Sequence, residues 1–374
     1  MKKIIGLFLV FILILCSCKA NQDNISISST INTNSEKQEL LQYQGRESYE
    51  EVYSGNFWFA QNETTYFYYD SIGFHSMDKQ TQSSKLIADH TINDISRYKD
   101  IIYWHEDNIC SLALFDINTQ TITKKSYKNL FPIEAAENSG YIITPTRIND
   151  GWLVCVVNFN VDSMGYCYYK TDLDFTTKTE IPIEGIGLIL DDDIFYYNDN
   201  GVILCYNLIS QKEYLVTKDL NKNLKGVNIN NFMDYIGKDK IMITVDDKIY
   251  ILSLTDGTVF KTIDYPKFDF DNNSPNAYYY NNSIYLQVWE SETKYRIEKI
   301  NYSDASSTVV YYGKSEHVFF DSRICDIDEQ YIYINNPGYL IGDTPTSNVT
   351  RIKIDGSGEE IIIRETIPEE YLEE

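Results

Sequence analysis

Residues 330–335 read QYIYIN, and residues 350–363 read TRIKIDGSGEEIII. The first is an aromatic and β-branched run, as strands favour, and in the second apolar and polar side chains alternate, the period of a strand with one buried face. In the second run the alternation is interrupted by Asp355-Gly356-Ser357-Gly358, small or hydrogen-bonding residues that suit a tight hairpin turn. The stretch predicts one strand, a loop, and then a hairpin of two more strands. SRICDI (322–327), just upstream, supplies a fourth.

The same grammar recurs along the chain. The first element reappears as TYFYYD (65–70), DIIYWH (100–105), GWLVCVV (151–157), DIFYYN (193–198), KIMITV (240–245) and SIYLQVW (283–289). Each is followed by a strand, a polar turn and a strand, from FHSMDKQTQSSKLI (74–87) to RIEKINYSDASSTVV (296–310). The repeat length is about 44 residues. A sheet of four short strands with two apolar faces cannot bury both alone, but a ring of such sheets can. The expectation is all-β, a β-propeller of seven four-stranded blades over 50–366. Six or eight blades stay open, because the third copy is stretched and the first compressed. Aromatics make up 14% of the chain, with 32 Tyr, and are read as filling between blades. No linker rich in Pro or Gly divides this span into two domains.

The blade repeat at 331–335 and 350–361 resembles that of bacterial surface propellers of unknown function, with a weaker copy from Ile249-Tyr250 to Thr255-Asp256-Gly257. Those are distantly similar to the YWTD propeller of low-density-lipoprotein-receptor-related proteins. No literal YWTD occurs in the chain. The resemblance implies a fold and a surface location, and no reaction.

Residues 1–18, MKKIIGLFLVFILILCSC, have a charged start, an apolar stretch from Ile4 to Leu15, and a close that resembles the bacterial lipobox. That resemblance makes 1–17 a lipoprotein signal peptide and Cys18 the lipidated N-terminus, with Cys16 a weaker competitor. A plain secretory signal or a short anchor is the alternative. Residues 18–49 read as a flexible tether reaching about 30 Å. The alternative, a first strand pairing with the last blade, is favoured only for residues 50–54, just beyond it. Residues 367–374 read as an acidic tail. The five remaining thiols, Cys110, Cys155, Cys167, Cys205 and Cys325, are an odd count set in apolar runs, expected as buried and free. A Cys155–Cys167 disulfide within one hairpin is the other reading.

The net charge of −23 disfavours nucleic acid and anionic membrane surfaces. The four His form no metal motif, and no P-loop, GxGxxG or GxSxG occurs. No catalytic residue, metal or cofactor is assigned. Calcium is weighed at Asp191-Asp192-Asp193 and at Asp269, Asp271, Asn272 and Asn273, with solvated loops the preferred reading. In a propeller the loops between second and third strands share a face with the connections between blades. Here they carry Asp70, Glu106, Asp107, Asp162, Asp199, Asp246, Asp247, Glu290, Glu292 and Asp343. Long loops at about 158–165 and 336–348 lie on the same face. The expectation is an acidic binding face with exposed aromatics such as Trp289 at its rim. The preferred function is a lipid-anchored, monomeric, extracytoplasmic binding or scaffold module of the bacterial envelope, held to the membrane by its lipid alone. Its partner would be an envelope or extracellular protein, peptide or glycan. A carbohydrate-active enzyme with carboxylates at the central channel and a structural assembly lipoprotein are the alternatives.

Overall fold

The computed structural model describes residues 41–43, 52–53, 59–70, 72–89, 93–106, 110–131, 141–159, 165–183, 187–197, 202–217, 233–245, 248–265, 275–291, 293–314, 322–341 and 344–364. Cys18, the signal peptide, most of the tether and the acidic tail lie outside them. Residues 40–374 form one compact unit.

Seven sheets follow one another along the chain, and each contains four consecutive antiparallel strands. We number the blades 1 to 7: 59–89, 93–126, 141–181, 188–217, 233–264, 276–314 and 323–364. The fold is a seven-bladed β-propeller. First strands of blades 4 and 5, 5 and 6, 6 and 7, and 7 and 1 touch where the blades converge on the axis. Within each blade's own four strands the fourth is outermost, and no blade borrows a strand from another to complete its four.

Side chains alternate between the two faces of a sheet, so each blade offers an apolar face to both neighbours. Buried clusters join every adjacent pair. One joins blades 5, 6 and 7 through Met242, Trp289, Tyr295 and Ile332. Others join 4 to 5, 3 to 4, 1 to 2 and 2 to 3. The last closes the ring: Phe59, Tyr66 and Tyr68 of blade 1 meet Tyr333 and Val349 of blade 7. Phe59 and Tyr333 stack there with ring centroids 5.2 Å apart. Most Tyr side chains in the clusters are packing residues, as the twist between blades demands bulk. Gly313 shows how tight this is, since a Cβ there would lie 2.2 Å from Cζ of Tyr295.

Several expectations need correction. Cys155 pairs with Tyr168, while Cys167 pairs with Val156, so the two thiols point to opposite faces of their hairpin and cannot bond. Both are free; of the five thiols expected to be buried only Cys205 is, Cys110, Cys155 and Cys325 are half-buried, and Cys167 is exposed. Residues 41–43 are not loose tether. Leu41–Gln42 add a parallel fifth strand to the outer edge of blade 4, and Tyr43 is buried. Val52–Tyr53 do form a strand, but it pairs with the first strand of blade 2, on the channel side, rather than with the last blade. The stretch 336–348 is largely strand: the middle strands of blade 7 run Tyr331–Ile341 and Thr344–Lys353, the longest such pair in the ring.

Candidate functional site

The ring has two faces. The turn face collects the links between first and second strands and between third and fourth strands. The loop face collects the links between second and third strands and between blades.

On the turn face each blade repeats one device. A side-chain oxygen accepts backbone N–H groups two or three residues on, the Asx turn. The acceptors are Asp78, Asp116, Asp172, Asn207, Asp256, Asn301 and Asp355. Five of these turns then pass through a left-handed, non-glycine residue, Gln82, Gln120, Phe175, Gln211 or Ala305, whose N–H returns to the carbonyl of the Asx residue. Hydrogen bonds from Thr81, Thr176, Thr258 and Ser357 hold the carboxyls of Asp78, Asp172, Asp256 and Asp355 below their ordinary range. These acids stand on the face opposite the one expected to be acidic. Carboxylates are therefore not confined to the loop face, and charge alone does not single it out.

Blade 5 adds a denser network on the turn face. Asp239 accepts from Lys240 Nζ at 2.9 Å, Thr255 Oγ1 at 2.8 Å, Ser253 Oγ at 3.0 Å, and the Tyr302 hydroxyl of blade 6. Burial pushes its carboxyl up, but these donors outweigh burial and hold it at about 2. The Asp191-Asp192-Asp193 run does form the hairpin between first and second strands of blade 4. It is buried rather than solvated, at 6%, 4% and 1% exposure. Among the described residues no group of three or more side chains is arranged to hold a metal ion. Asp269, Asp271, Asn272 and Asn273 lie outside those residues.

Of the expected loop-face residues, Asp107, Asp162, Asp199, Asp246, Asp247, Glu292 and Asp343 also lie outside the described residues. Asp70 is buried. Its Oδ1 accepts from the N–H groups of Ile72 and Gly73 and lies 3.0 Å from Nε2 of His75, which stacks on Tyr68. Glu106 pairs with Lys124 at 2.5 Å, and Glu290 with Arg296 at 3.1 Å. Trp289 is not at an exposed rim. Its exposure is 0%, because alternation turns it with Gln287 toward blade 7, where Gln287 bonds Ser322 and Ile324. Among the described residues the exposed aromatics are Tyr312, Tyr166 and Phe159 instead.

The sequence reading named no individual channel residue. First strands carry Asp234 in blade 5, Arg323 and Asp326 in blade 7, and Arg97 in blade 2. Burial raises the carboxyl of Asp234, and the Arg323 charge opposes it. Burial likewise raises Asp326, against a 3.0 Å bond from Gln61 Nε2 of blade 1 and the charge of Arg97. Each acid thus feels an arginine two blades away, which is a relation across the axis. Only the assembly of blades around the axis creates it, so no local motif announces it.

No family model and no curated protein matches the chain. Among solved structures it is similar to the AfRom2 CNH domain, at 10% identity over 79% of this chain and 97% of that one, with a TM-score of 0.45. It is similar to Kluyveromyces lactis Hsv2, at 12% identity over 85% and 99%, with a TM-score of 0.47. It is also similar to BamB from Moraxella catarrhalis, at 9% identity over 80% and 85%, with a TM-score of 0.38. At that identity no function passes from them to this chain.

Proposed function

We propose that this chain is a lipid-anchored, extracytoplasmic propeller of the bacterial envelope that binds a protein, peptide or glycan through its loop face and performs no chemistry there. The observation that carries the reading is the contrast between faces. Turn-face side chains are consumed by their own hairpins, whereas the loop face carries the blade connections and the long hairpin of blade 7. Binding residues concentrate on loops held by a rigid scaffold. Cys18 would carry the lipid, in the outer leaflet of the cell membrane or in an outer membrane.

The test replaces residues 338–343 by Asn-Gly and compares capture from envelope extract with the Asp116→Ala variant on the turn face. The hairpin change should lower capture at least about tenfold, on the order of 1.4 kcal/mol. Asp116→Ala should leave capture unchanged. Capture indifferent to the hairpin, or lost equally in both, counts against the loop face. Cys18→Ser should abolish metabolic labelling with palmitate; labelling that survives would remove the lipid anchor from the reading.

A second reading rests on the channel. Carboxyls raised by burial are what a general acid requires, and Asp234 and Asp326 are two such groups on first strands. A carbohydrate-active enzyme would hydrolyse a glycan from a broad panel and lose that activity on Asp234→Asn or Asp326→Asn. No turnover across the panel would set this reading aside.

A further inference from the structure

The chain's own residues 41–43 occupy a built site on blade 4. The backbone of Leu41 and Gln42 runs parallel to the fourth strand, Lys212–Thr217, and Tyr43 N donates to the Leu215 carbonyl at 2.8 Å. The Tyr43 side chain enters the interface of blades 4 and 5 and is 7% exposed. Its ring meets Phe195 edge-on at 5.5 Å and Tyr214 at 6.2 Å. Its hydroxyl donates to Oδ2 of Asp193 at 2.7 Å, and the other oxygen of that carboxylate accepts from Asn207 at 2.6 Å. Asp193 is 1% exposed, so the acceptor sits at the bottom of the pocket.

Blade 4 alone is equipped for this. The second strands of the seven blades begin with Thr65, Ile101, Gly151, Asp193, Lys240, Ser283 and Tyr331, so a carboxylate stands at that position once. A buried carboxylate needs donors on both oxygens. Asn207 supplies one, and a tyrosine hydroxyl supplies the other.

The resident strand is short. Two residues pair with the edge, one side chain is buried, and Leu41 is 60% exposed. Strand addition at a sheet edge draws affinity from main-chain bonds and specificity from the pocket filled by one side chain. We propose that the outer edge of blade 4 is a docking site for an extended peptide of a partner protein that carries a tyrosine, and that residues 41–43 close this site in the resting chain. The site lies on the outer rim and is independent of the loop-face reading.

The test uses the full-length chain as wild type, as Tyr43→Ala, and as Tyr43→Pro, which removes the donor to the Leu215 carbonyl as well as the ring. The probe is a fluorescent peptide of sequence ELLQYQGR, residues 39–46. Both vacated variants should bind it at least about tenfold more tightly than wild type. Replacing the peptide's tyrosine by alanine, or adding Asp193→Asn to Tyr43→Ala, should weaken binding by about tenfold or more, as loss of a hydrogen bond to a charged group would. Equal binding by wild type and variants overturns the proposal. So does absence of binding by both vacated variants while their thermal transitions remain cooperative. Wild-type chains that dimerise with rising concentration, and lose this on Tyr43→Ala, would assign the edge to a second copy and overturn it too.

Discussion

On the turn face, Asp116 spends Oδ1 on the N–H groups of Asn118 and Thr119, both at 2.8 Å. On the loop face, Glu106 of the same blade pairs with Lys124 on the outer strand. Both faces are rich in acids; on the turn face every blade uses an Asx oxygen to finish its own backbone, whereas on the loop face Asp70 does so and Glu106 and Glu290 pair with side chains instead. Where polar groups serve, rather than how many there are, separates a face that shapes the blades from one that can meet a partner. Changes on the turn face should therefore act on stability and spare binding.

The largest effect is expected at Asp239, where the turn face is most heavily bonded. Asp239→Ala strands the buried Lys240 and removes the acceptor shared by Ser253, Thr255 and Tyr302. Breaking such a pair from one side costs about 3–5 kcal/mol. Urea denaturation would read it, and capture of the loop-face ligand should persist. Acid provides a second reading. The carboxyl is held at about 2 in the fold and returns to an ordinary value on unfolding. Its stabilisation is thus complete above the unfolded value and is lost as pH falls through the folded one. The variant should lose less stability than wild type between pH 5 and pH 2; an identical acid slope would break the assignment.

A comparable loss, again about 3–5 kcal/mol, is expected for Trp289→Ala, a fully buried indole in the cluster of blades 5, 6 and 7. It sits near the loop face, so it sharpens the contrast from the other side. If Trp289 only packs, stability falls and the affinity of the folded fraction does not. A loss of affinity at full stability would return it to the binding surface.

Asp326→Asn is expected to have a smaller effect with the opposite sign in pH. Burial raises this carboxyl, so the folded state binds its proton more tightly than the unfolded state does. Wild type should lose stability relative to the variant as pH rises through the raised value, and the two should converge in acid. Denaturation midpoints from pH 3 to pH 7 would show this; a gap that widens toward low pH would contradict it.

The fold was legible because its signal is distributed. Seven runs such as TYFYYD and QYIYIN at near-constant spacing survive the degeneracy of any one blade. The site was less legible, for three physical reasons. The Arg323 charge acts on Asp234, and the Arg97 charge on Asp326, only once the blades stand around one axis. Trp289 stands beside the charged Glu290, and local polarity suggested a rim; only strand register decides that it turns into the blade interface. Tyr43 lies in a polar stretch where one buried residue produces no periodicity at all. Sequence pattern reports what is repeated, and sites depend on what is singular.

The smallest effect expected is a gain, at the turn of blade 2. Gln120 has φ 53°, and its N–H bonds the Asp116 carbonyl at 2.8 Å. Blade 5 places Gly257, φ 71°, in the same role, with its N–H on the Ser253 carbonyl at 2.8 Å. A left-handed residue with a Cβ costs about 1–2 kcal/mol, and glycine avoids this at some cost in chain entropy. Gln120→Gly should therefore stabilise by up to about 1 kcal/mol, and Gly257→Ala should destabilise by a similar amount. Because the device is common to the turn face, both changes should leave ligand capture untouched. If Gln120→Gly instead destabilised, the glutamine side chain would be contributing something beyond closing its hairpin, and the separation of duties between the two faces would fail at blade 2.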